Sequence, residues 1–413
     1  MISFYAGNFS DIASDPVQES GDRILFAEDS GDLFLERSGT RIRIQDVIRI
    51  DTESEREAIL APLDKIYFVT ESRKLWSYIS GNWFLLNEEG ENPSGDFFGE
   101  DPFLVRNSPD TLLLKSGTSL LVDGSVYTAN EDFEIDIGES LDSGTISPGK
   151  DYCVYLTSDE TFVVSLNTTF PTGTLSDGST AFNADNTRKI GGFHALCEDV
   201  GEIEGHPLSG FSAGEILPAS VWCLNHRPYS EAAGMVYCEA LDFWVDIYLQ
   251  SGTGTETASV LGGTITDTRC YPDHVQDMFS VRKQLLSDNE FSAVAEGSNQ
   301  GTALSGASDP VTTGGHKDTN NRRMISNIGC EDTCGAMWQW LNDCGPCGGS
   351  GGQTIPGNKG YAYGTLYTLT AGGRWENNKG CGSRARSATH LYRVPSNGVS
   401  ARGMSRSRRK ERC

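Results

Sequence analysis

Several common signatures are missing from this sequence, and each absence excludes a class of protein. It contains no run of about eighteen apolar residues, so we expect no transmembrane helix and no insertion into a membrane. Residues 1–5 provide neither a basic stretch nor an apolar one, so we expect no signal peptide. Basic residues are few, with 33 Lys and Arg against 57 Asp and Glu. The resulting net charge of −24 argues against nucleic acid as a partner.

Recognisable catalytic motifs are also missing. The chain has six histidines, and none of them falls in an HExxH or comparable spacing. Many Ser and Asp residues could be combined with any of these histidines, so no Ser/His/Asp triad can be assigned. The sequence therefore disfavours hydrolase chemistry, and we expect neither a cofactor nor a metal.

The eleven cysteines leave more than one interpretation open. Cys330 and Cys334 form a CxxxC motif, and Cys344 and Cys347 form a CxxC motif, so zinc ligation or a disulfide is conceivable. The CxxC motif, however, lies in a Gly-rich stretch that reads as a loop. A chain without a secretion signal folds in a reducing compartment, which favours free thiols over both alternatives.

The composition is that of a folded, turn-rich protein. Charged residues make up 22% and hydrophobic residues 37% of the chain, and 47 residues are glycine. At 413 residues we expect two or three domains. We predict a mainly β protein with an α+β C-terminal domain.

An internal repeat marks the N-terminal region. The pattern Asp-basic-Ile-x-Phe begins at Asp22 and again at Asp64, and each copy continues through a short polar turn into a second apolar stretch. Alternating residues around a polar turn predict a β-hairpin. We therefore predict β-hairpin modules over residues 1–95, which resemble the small modules of phage tail and fibre proteins.

Two further domains follow in the predicted organisation. Short alternating stretches over residues 96–180 predict a small β-sandwich or β-prism. The third domain covers residues 181–413, and its first strand is predicted at 187–194. Within it we predict one helix over 273–286 and another over 334–341.

The C-terminal segment combines fixed-looking and chemically incoherent positions. It reads Gly-Gly-Arg-Trp-Glu at 372–376, Cys-Gly-Ser-Arg-Ala-Arg at 381–386, Ser-Ala-Thr-His-Leu-Tyr-Arg at 387–393 and Val-Ser-Ala-Arg-Gly at 399–403. Arg-Arg-Met-Ile-Ser-Asn-Ile-Gly-Cys-Glu-Asp at 322–332 and Gly-Ala-Met-Trp-Gln-Trp at 335–340 lie upstream. Together these motifs resemble the variable proteins of diversity-generating retroelements. Those are receptor-binding proteins, such as phage tropism determinants, whose C-terminal domain has a C-type lectin fold of the formylglycine-generating-enzyme type.

The resemblance implies a fixed scaffold that carries a mutable surface, in a variable region of about 371–404. The mutable residues of the family match twelve residues here, which we call the variable positions: Arg374, Glu376, Asn377, Lys379, Ser387, Thr389, His390, Val394, Pro395, Ser396, Asn397 and Gly398. We expect these to form an exposed receptor-binding face. A functionless exposed loop would be equally mixed in its chemistry, so the prediction of a binding face rests on the resemblance.

A second set of residues has the character of a scaffold. Large aromatic rings are most simply core residues, and arginines can fork to buried carboxylates or carbonyls. Glu331 and Asp332 are candidate partners for these arginines. The scaffold residues are Trp338, Trp340, Trp375, Cys381, Arg384, Arg386 and Arg402. Gly372, Gly373 and Gly382 are expected to allow tight turns with positive φ.

The chain departs from two related classes of protein. The enzyme branch of the fold has two cysteines here, the first shortly after Gly-Gly, whereas only Cys381 follows that pair in this chain. The Glu-Pro-Asn and Gln-Pro-Asp motifs of calcium-dependent lectins are missing too. A formylglycine-generating-type oxidase is therefore a weaker alternative, and sugar binding does not follow from the fold.

The resemblance implies a non-enzymatic protein of the virion, in a tail fibre or tail tip. The expected partners are a host cell-surface receptor, either protein or glycan, and other virion proteins. A symmetric homo-oligomer, such as a trimer, would strengthen weak contacts by avidity. A structural decoration protein of the virion is the remaining alternative.

Overall fold

The computed structural model describes residues 2–7, 22–27, 32–37, 40–44, 47–50, 55, 58–59, 66–69, 74–79, 82–85, 97–354, 361–391 and 394–408. Within strands, it leaves the side chains of residues 344–354 and 361–366 and most of those before residue 97 undescribed. The chain divides into two compact units, Met1–Ser94 and Gly95–Cys413. Each unit is described by itself below.

The first unit contains the same four-stranded arrangement twice. In each sheet the first two strands are parallel and the remaining pairs are antiparallel. The first sheet comprises β1 (Ile2–Gly7), β2 (Asp22–Ala27), β3 (Asp32–Arg37) and β4 (Thr40–Ile44). The second comprises β5 (Val47–Ile50), β6 (Ile66–Val69), β7 (Lys74–Ile79) and β8 (Asn82–Leu85).

The predicted hairpins correspond to the β2–β3 and β6–β7 pairs. Asp22 pairs with Arg37 in the first, and Ile66 pairs with Ser77 in the second. The predicted turns at 28–30 and 70–72 lie outside the described residues. The parallel strands β1 and β5 were not predicted, because alternation along one strand carries no information about the direction of its neighbour.

The second unit opens with three small sheets. Their orders are β10-β11-β14, β13-β12-β9 and β16-β15-β17-β18. One buried cluster, which includes Phe103, Leu112, Val154 and Phe193, lies among these strands. The strands are β9 (Phe97–Phe98), β10 (Leu104–Arg106), β11 (Thr111–Leu114), β12 (Ser119–Val122), β13 (Ser125–Thr128), β14 (Phe133–Asp136), β15 (Asp151–Thr157), β16 (Phe162–Ser165), β17 (Thr187–His194) and β18 (Trp222–Cys223).

Strand β17 differs from its predicted place. We expected it to open the lectin-like domain, but it pairs with β15 from Asp151↔His194 to Thr157↔Thr187. Two glycines make this possible, because a Cβ at Gly191 would lie 2.4 Å from the Trp222 carbonyl oxygen and one at Gly192 would lie 2.4 Å from that of Tyr152. The strand therefore shares the core of residues 97–223.

The rest of the second unit carries two four-stranded sheets, with orders β19-β20-β26-β21 and β24-β23-β22-β25. A buried cluster with Val245, Phe291 and Met404 packs beside them. The elements are β19 (Met235–Cys238), β20 (Phe243–Asp246), α1 (Tyr271–Ser280), β21 (Gln284–Leu285), α2 (Asp288–Val294), β22 (Trp338–Thr354), β23 (Tyr361–Gly372), β24 (Gly382–Leu391), β25 (Val399–Ser400) and β26 (Gly403–Arg406).

One predicted helix is present and the other prediction is wrong. Helix α1 overlaps the predicted segment 273–286 but stops at Ser280, and Arg282 then adopts a φ of +59°. The predicted helix at 334–341 is instead a turn followed by the start of β22. Trp338 is half-buried and Trp340 fully buried, so their spacing of two is the repeat of one strand face.

The Gly-rich CxxC segment is also not a loop. Cys344 pairs with Thr368 and Cys347 with Thr365, so the motif continues strand β22. The many glycines suggested a loop because glycine weakens strands, but pairing with the long strand β23 outweighs that preference. Elsewhere in the described chain, Cys330 and Cys334 are buried free thiols.

Candidate functional site

The variable positions lie on a turn, an edge strand and a loop around one sheet. Strand β24 is at the edge of the sheet β24-β23-β22-β25. Between β23 and β24 the chain forms a tight turn, in which the backbone N–H of Asn377 donates to the Arg374 carbonyl at 2.8 Å. The predicted positive φ values occur at Gly372 (+92°), Gly373 (+84°) and Gly382 (+146°).

Most variable positions are accessible to solvent. Seven are exposed: Glu376, Asn377, Lys379, Thr389, Val394, Pro395 and Asn397. Four are half-buried: Arg374, Ser387, His390 and Ser396. The exposed and half-buried side chains include a cation, a carboxylate, amides, hydroxyls and an apolar group, which together suit a binding surface. We call these eleven residues the variable face.

Gly398 does not fit the mutable role assigned to it. It is buried with a φ of +72°, and a Cβ there would lie 2.7 Å from the Trp375 ring and 2.9 Å from Nη1 of Arg374. A side chain at this position would therefore displace both neighbours. The sequence placed Gly398 among mutable neighbours, but close packing against the Trp375 ring makes it part of the scaffold.

Two of the aromatic scaffold residues lie in buried clusters. Trp340 is 1% exposed and Trp375 is 7% exposed. The Trp375 side chain belongs to a buried cluster that includes Ile265 and Met337, and its backbone N–H donates to the Ala336 carbonyl at 3.2 Å. Cys381 is buried and its thiol contacts the Arg374 carbonyl at 3.3 Å. These contacts anchor both ends of the 374–381 turn.

Arg402 is the most completely enclosed of the scaffold arginines. Its side chain is fully buried and donates to the carbonyls of Asp246 at 2.7 Å, Ile247 at 2.6 Å and Glu331. Its Nε donates to Gln339 Oε1 at 3.0 Å. A single guanidinium thus joins strands β20 and β22 to the segment at 331.

Two expectations about the other arginines need correction. Arg384 is exposed on the edge strand and is not held by a buried acid in the described part of the chain. Arg386, by contrast, does donate to carbonyls, those of Ser383 at 2.7 Å and Ala385 at 3.0 Å. It also donates to Asp288, which is half exposed, and lies 5.0 Å from the Phe291 ring centroid. The carboxylate of Glu331 pairs with Arg323 at 2.7 Å rather than with a C-terminal arginine. The sequence could not show that Arg384 is exposed, because the edge position of its strand is set by the tertiary fold.

His390 connects the variable face to the scaffold. Its ring centroid lies 5.7 Å from that of Trp340 and 6.4 Å from that of Trp338. Burial, helped by the positive charge of Arg374, lowers the pKa of His390. The neutral ring is therefore the favoured form at neutral pH.

Three residues at the border of the face had no signal in the sequence. Asp267 accepts the backbone N–H of Gly398 at 3.4 Å, and Thr268 donates to Asn397 Oδ1 at 3.5 Å. Asp309 lies close enough to Arg374 and Glu376 for their charges to act on its pKa. All three are more than sixty residues away in sequence, so only folding brings them to the face.

The described residues also bear on metal binding, membrane insertion and cavities. Within those ranges no cluster of three or more His, Cys, Asp or Glu side chains is arranged to hold a metal ion, and no helix is long and apolar enough to cross a membrane. A cavity of about 370 Å³ lies by Pro109, Ile137 and Gly214, and no variable position lines it.

Comparison with known families gives a match to part of the chain. The family model described as the Mtd second domain matches residues 102–223. This range coincides with the small sheets and shared core that include β17 and β18. Residues 102–223 are therefore similar to the Mtd second domain.

Whole-chain comparisons extend the similarity. The chain is 27% identical over 307 residues to the tail fiber receptor-binding protein of Bordetella phage BPP-1, covering 68% of this chain and 76% of that protein. Solved structures of the Major Tropism Determinant U1 and M1 variants match with a TM-score of 0.63 and 23% identity, covering 88% of this chain and 99% of theirs. The resemblance to variable tropism-determinant proteins and the mainly β fold with a lectin-like C-terminal part are confirmed.

Proposed function

We propose that this chain is a receptor-binding protein of a phage virion, and that its variable face binds a host cell-surface receptor. The relative from Bordetella phage BPP-1 is a tail fiber receptor-binding protein, and it aligns with two thirds of this chain. The receptor is a protein or a glycan on the host surface. On this proposal the chain is part of a tail fibre or tail tip of the virion.

One observation carries this proposal. Residues of unrelated chemistry are presented together on a face whose supports, Trp340, Trp375 and Arg402, are buried. A rigid support lets exposed side chains change at little cost to stability, because surface substitutions usually alter the free energy of unfolding by less than about 0.5 kcal/mol. Such a face suits recognition that must change while the fold persists.

A competition experiment tests the proposal. Purified full-length protein, added to host bacteria before the phage, should occupy the receptor and slow phage adsorption. The matched control is the same protein with Thr389, His390, Val394 and Pro395 exchanged, which should compete far less. Equal competition by both proteins would show that binding does not use the variable face.

We further propose that the chain is not an enzyme. Burial raises the pKa of Cys381 to about 11 and that of Cys334 to about 12, so both thiols stay protonated at neutral pH. A protonated, buried thiol is a poor nucleophile and a poor copper ligand. Purified protein with copper and a sulfatase-type peptide should therefore convert no cysteine to formylglycine, and turnover that Cys381→Ser abolishes would overturn this.

For the remaining parts we propose attachment and assembly roles. The two four-stranded sheets of residues 1–95 end in edge strands, which are suited to pairing with other virion proteins or with further copies of the chain. We propose a homo-oligomer, such as a trimer. Because β17 and β18 share the core of the preceding strands, we place the boundary before the lectin-like domain after Cys223 rather than at residue 181.

Deletion of residues 1–95 tests the attachment role. The truncated protein should keep a folded lectin-like domain but should not enter particles. Normal incorporation into virions would place the attachment site elsewhere.

A further inference from the structure

A loop outside the variable region borders the variable face. The backbone N–H of Ile265 donates to the Val311 carbonyl at 2.9 Å, and Thr264 forms a β-bridge with Thr312. The Ile265 side chain belongs to the same buried cluster as Trp375. The loop at 309–312 and the variable turn at 374–380 are therefore supported by one piece of core.

The segment between them reaches the variable face as well. The backbone N–H of Ser396 donates to the Arg269 carbonyl at 3.4 Å, and that of Gly398 donates to Asp267 at 3.4 Å. Residues 264–269 thus touch the loop at one end and the variable positions at the other. This continuity makes residues 309–312 the outer edge of the variable face.

The loop presents an unusual pair of side chains to solvent. Val311 is 69% exposed, which is among the largest exposures of any described apolar residue, and Asp309 is exposed two residues before it. Partial burial, followed by the repulsion of Asp267, raises the pKa of Asp309 despite the nearby Arg374. Apolar and anionic groups therefore lie side by side.

Two neighbouring arginines already form ion pairs. Arg374 pairs with Glu376 at 2.5 Å and Arg269 pairs with Asp277 at 3.1 Å. Over the described part of the chain, no ion pair within 4 Å engages Asp309 or Asp267. The carboxylates of Asp309 and Asp267 therefore leave this edge of the face anionic, on a chain whose net charge is −24.

We propose that the 309–312 loop is a fixed part of the receptor-binding face and takes a protein segment in which a basic side chain lies beside an apolar one. The apolar side chain covers Val311 and the basic side chain approaches Asp309. An acidic glycan would be repelled by these carboxylates and would leave Val311 uncovered. The inference rests on the proposed function and adds a contact that does not change when the variable positions change.

A library of random linear peptides provides the probe. Peptides selected on the immobilised full-length protein should be enriched in Arg or Lys next to Leu, Ile or an aromatic residue. Val311→Ser and Asp309→Asn should each weaken the selected peptides by roughly ten-fold or more, which corresponds to about 1.4 kcal/mol. Both residues are exposed, so neither change should alter the melting temperature.

Matched controls come from elsewhere in the second unit. Val126 is 64% exposed on strand β13, and Asp185 is exposed in a loop, so Val126→Ser and Asp185→Asn should leave peptide binding unchanged. The proposal is overturned if the selected peptides ignore Val311 and Asp309, if the controls weaken binding equally, or if no peptide is enriched.

The same peptides separate this inference from the proposed function. Binding that depends on Thr389 and Val394 but not on Val311 or Asp309 would support the variable face as the binding site and contradict a role for the 309–312 loop. Binding that depends on Val311 and Asp309 but not on Thr389 or Val394 would support the loop and contradict the variable face.

Discussion

Two segments near the C-terminus, β24 and residues 399–405, have opposite environments. Strand β24 lies at the edge of its sheet, and all but its first residue are half-buried or exposed. Residues 399–405, by contrast, are buried without exception, and β26 is an inner strand between β20 and β21. Burial in the fold, rather than residue type, therefore decides whether a residue can vary. Arg384 and Arg402 illustrate this, since the same residue type is exposed in one segment and enclosed in the other.

The largest effect is expected from removing Arg402. Arg402→Ala would remove the donor of the buried carbonyls of Asp246 and Glu331 and of Gln339 Oε1, whereas the Ile247 carbonyl keeps the backbone N–H of Glu331 at 2.8 Å. Each unsatisfied buried acceptor costs about 1–3 kcal/mol, so the free energy of unfolding should fall by at least about 3 kcal/mol. Urea or thermal unfolding measures this loss.

Arg384→Ala is the matched control for that substitution. Because Arg384 is exposed, its removal should change the free energy of unfolding by less than about 0.5 kcal/mol. Similar losses for the two arginines would contradict the division between the exposed strand β24 and the buried segment 399–405.

Trp375→Ala should have the next largest effect. The ring fills a buried cluster with Ile265 and Met337, so truncation leaves a cavity that costs about 3–5 kcal/mol. Phe279, which is 67% exposed, provides an aromatic control that should tolerate the same change. A Trp375→Ala variant that melts like the parent but loses binding would place Trp375 in the variable face.

A smaller effect distinguishes two histidines. Burial alone would lower the pKa of His316, but the hydrogen bond from its Nδ1 to Asp332 at 2.9 Å and the charge of Asp332 outweigh it and raise that pKa. The pKa of His390 is lowered by burial and by Arg374. Titration followed by NMR should therefore place the two on opposite sides of the ordinary value of about 6.5.

The two shifts act on stability with opposite signs. The folded state binds a proton at His316 more tightly than the unfolded state, so this contribution is full below the unfolded pKa and is lost as pH rises through the folded pKa. For His390 the contribution is full above the unfolded pKa and is lost as pH falls towards the folded pKa. The parent should therefore exceed His316→Gln in free energy of unfolding by an amount that shrinks from acidic to mildly basic pH. A difference that does not change with pH would contradict the contact with Asp332.

The sequence predicted those parts of the fold that depend on local pattern. The hairpins β2–β3 and β6–β7 and the start of α1 follow from alternation and turn residues. The capping box of α2, in which Ser287 and Glu290 bond each other's backbone N–H, was also readable from the sequence but was missed. The helix prediction at 334–341 was wrong because the spacing of Met337, Trp338 and Leu341 suits a helix face, whereas almost every side chain from 336 to 341 is buried, so their spacing does not mark one face.

The candidate site depended on more than local pattern. Family resemblance supplied the variable positions, and the structure places eleven of the twelve at least partly in solvent. Buried Gly398 and exposed Arg384 could not be distinguished from their neighbours, because their environments are made by Trp375 and by the open edge of β24. Asp267 and Asp309 join the face only through pairing of distant segments.

Simultaneous exchange of Thr389, His390, Val394 and Pro395 tests the central claim most directly. Three of these side chains are exposed and His390 is half-buried, so the free energy of unfolding should change by less than about 1 kcal/mol. Phage that carry the exchanged protein should adsorb far more weakly to the parental host, because the exchange should remove several kcal/mol of binding free energy. Unchanged adsorption, or a loss of adsorption accompanied by an equal loss of stability, would contradict a variable face carried on an independent scaffold.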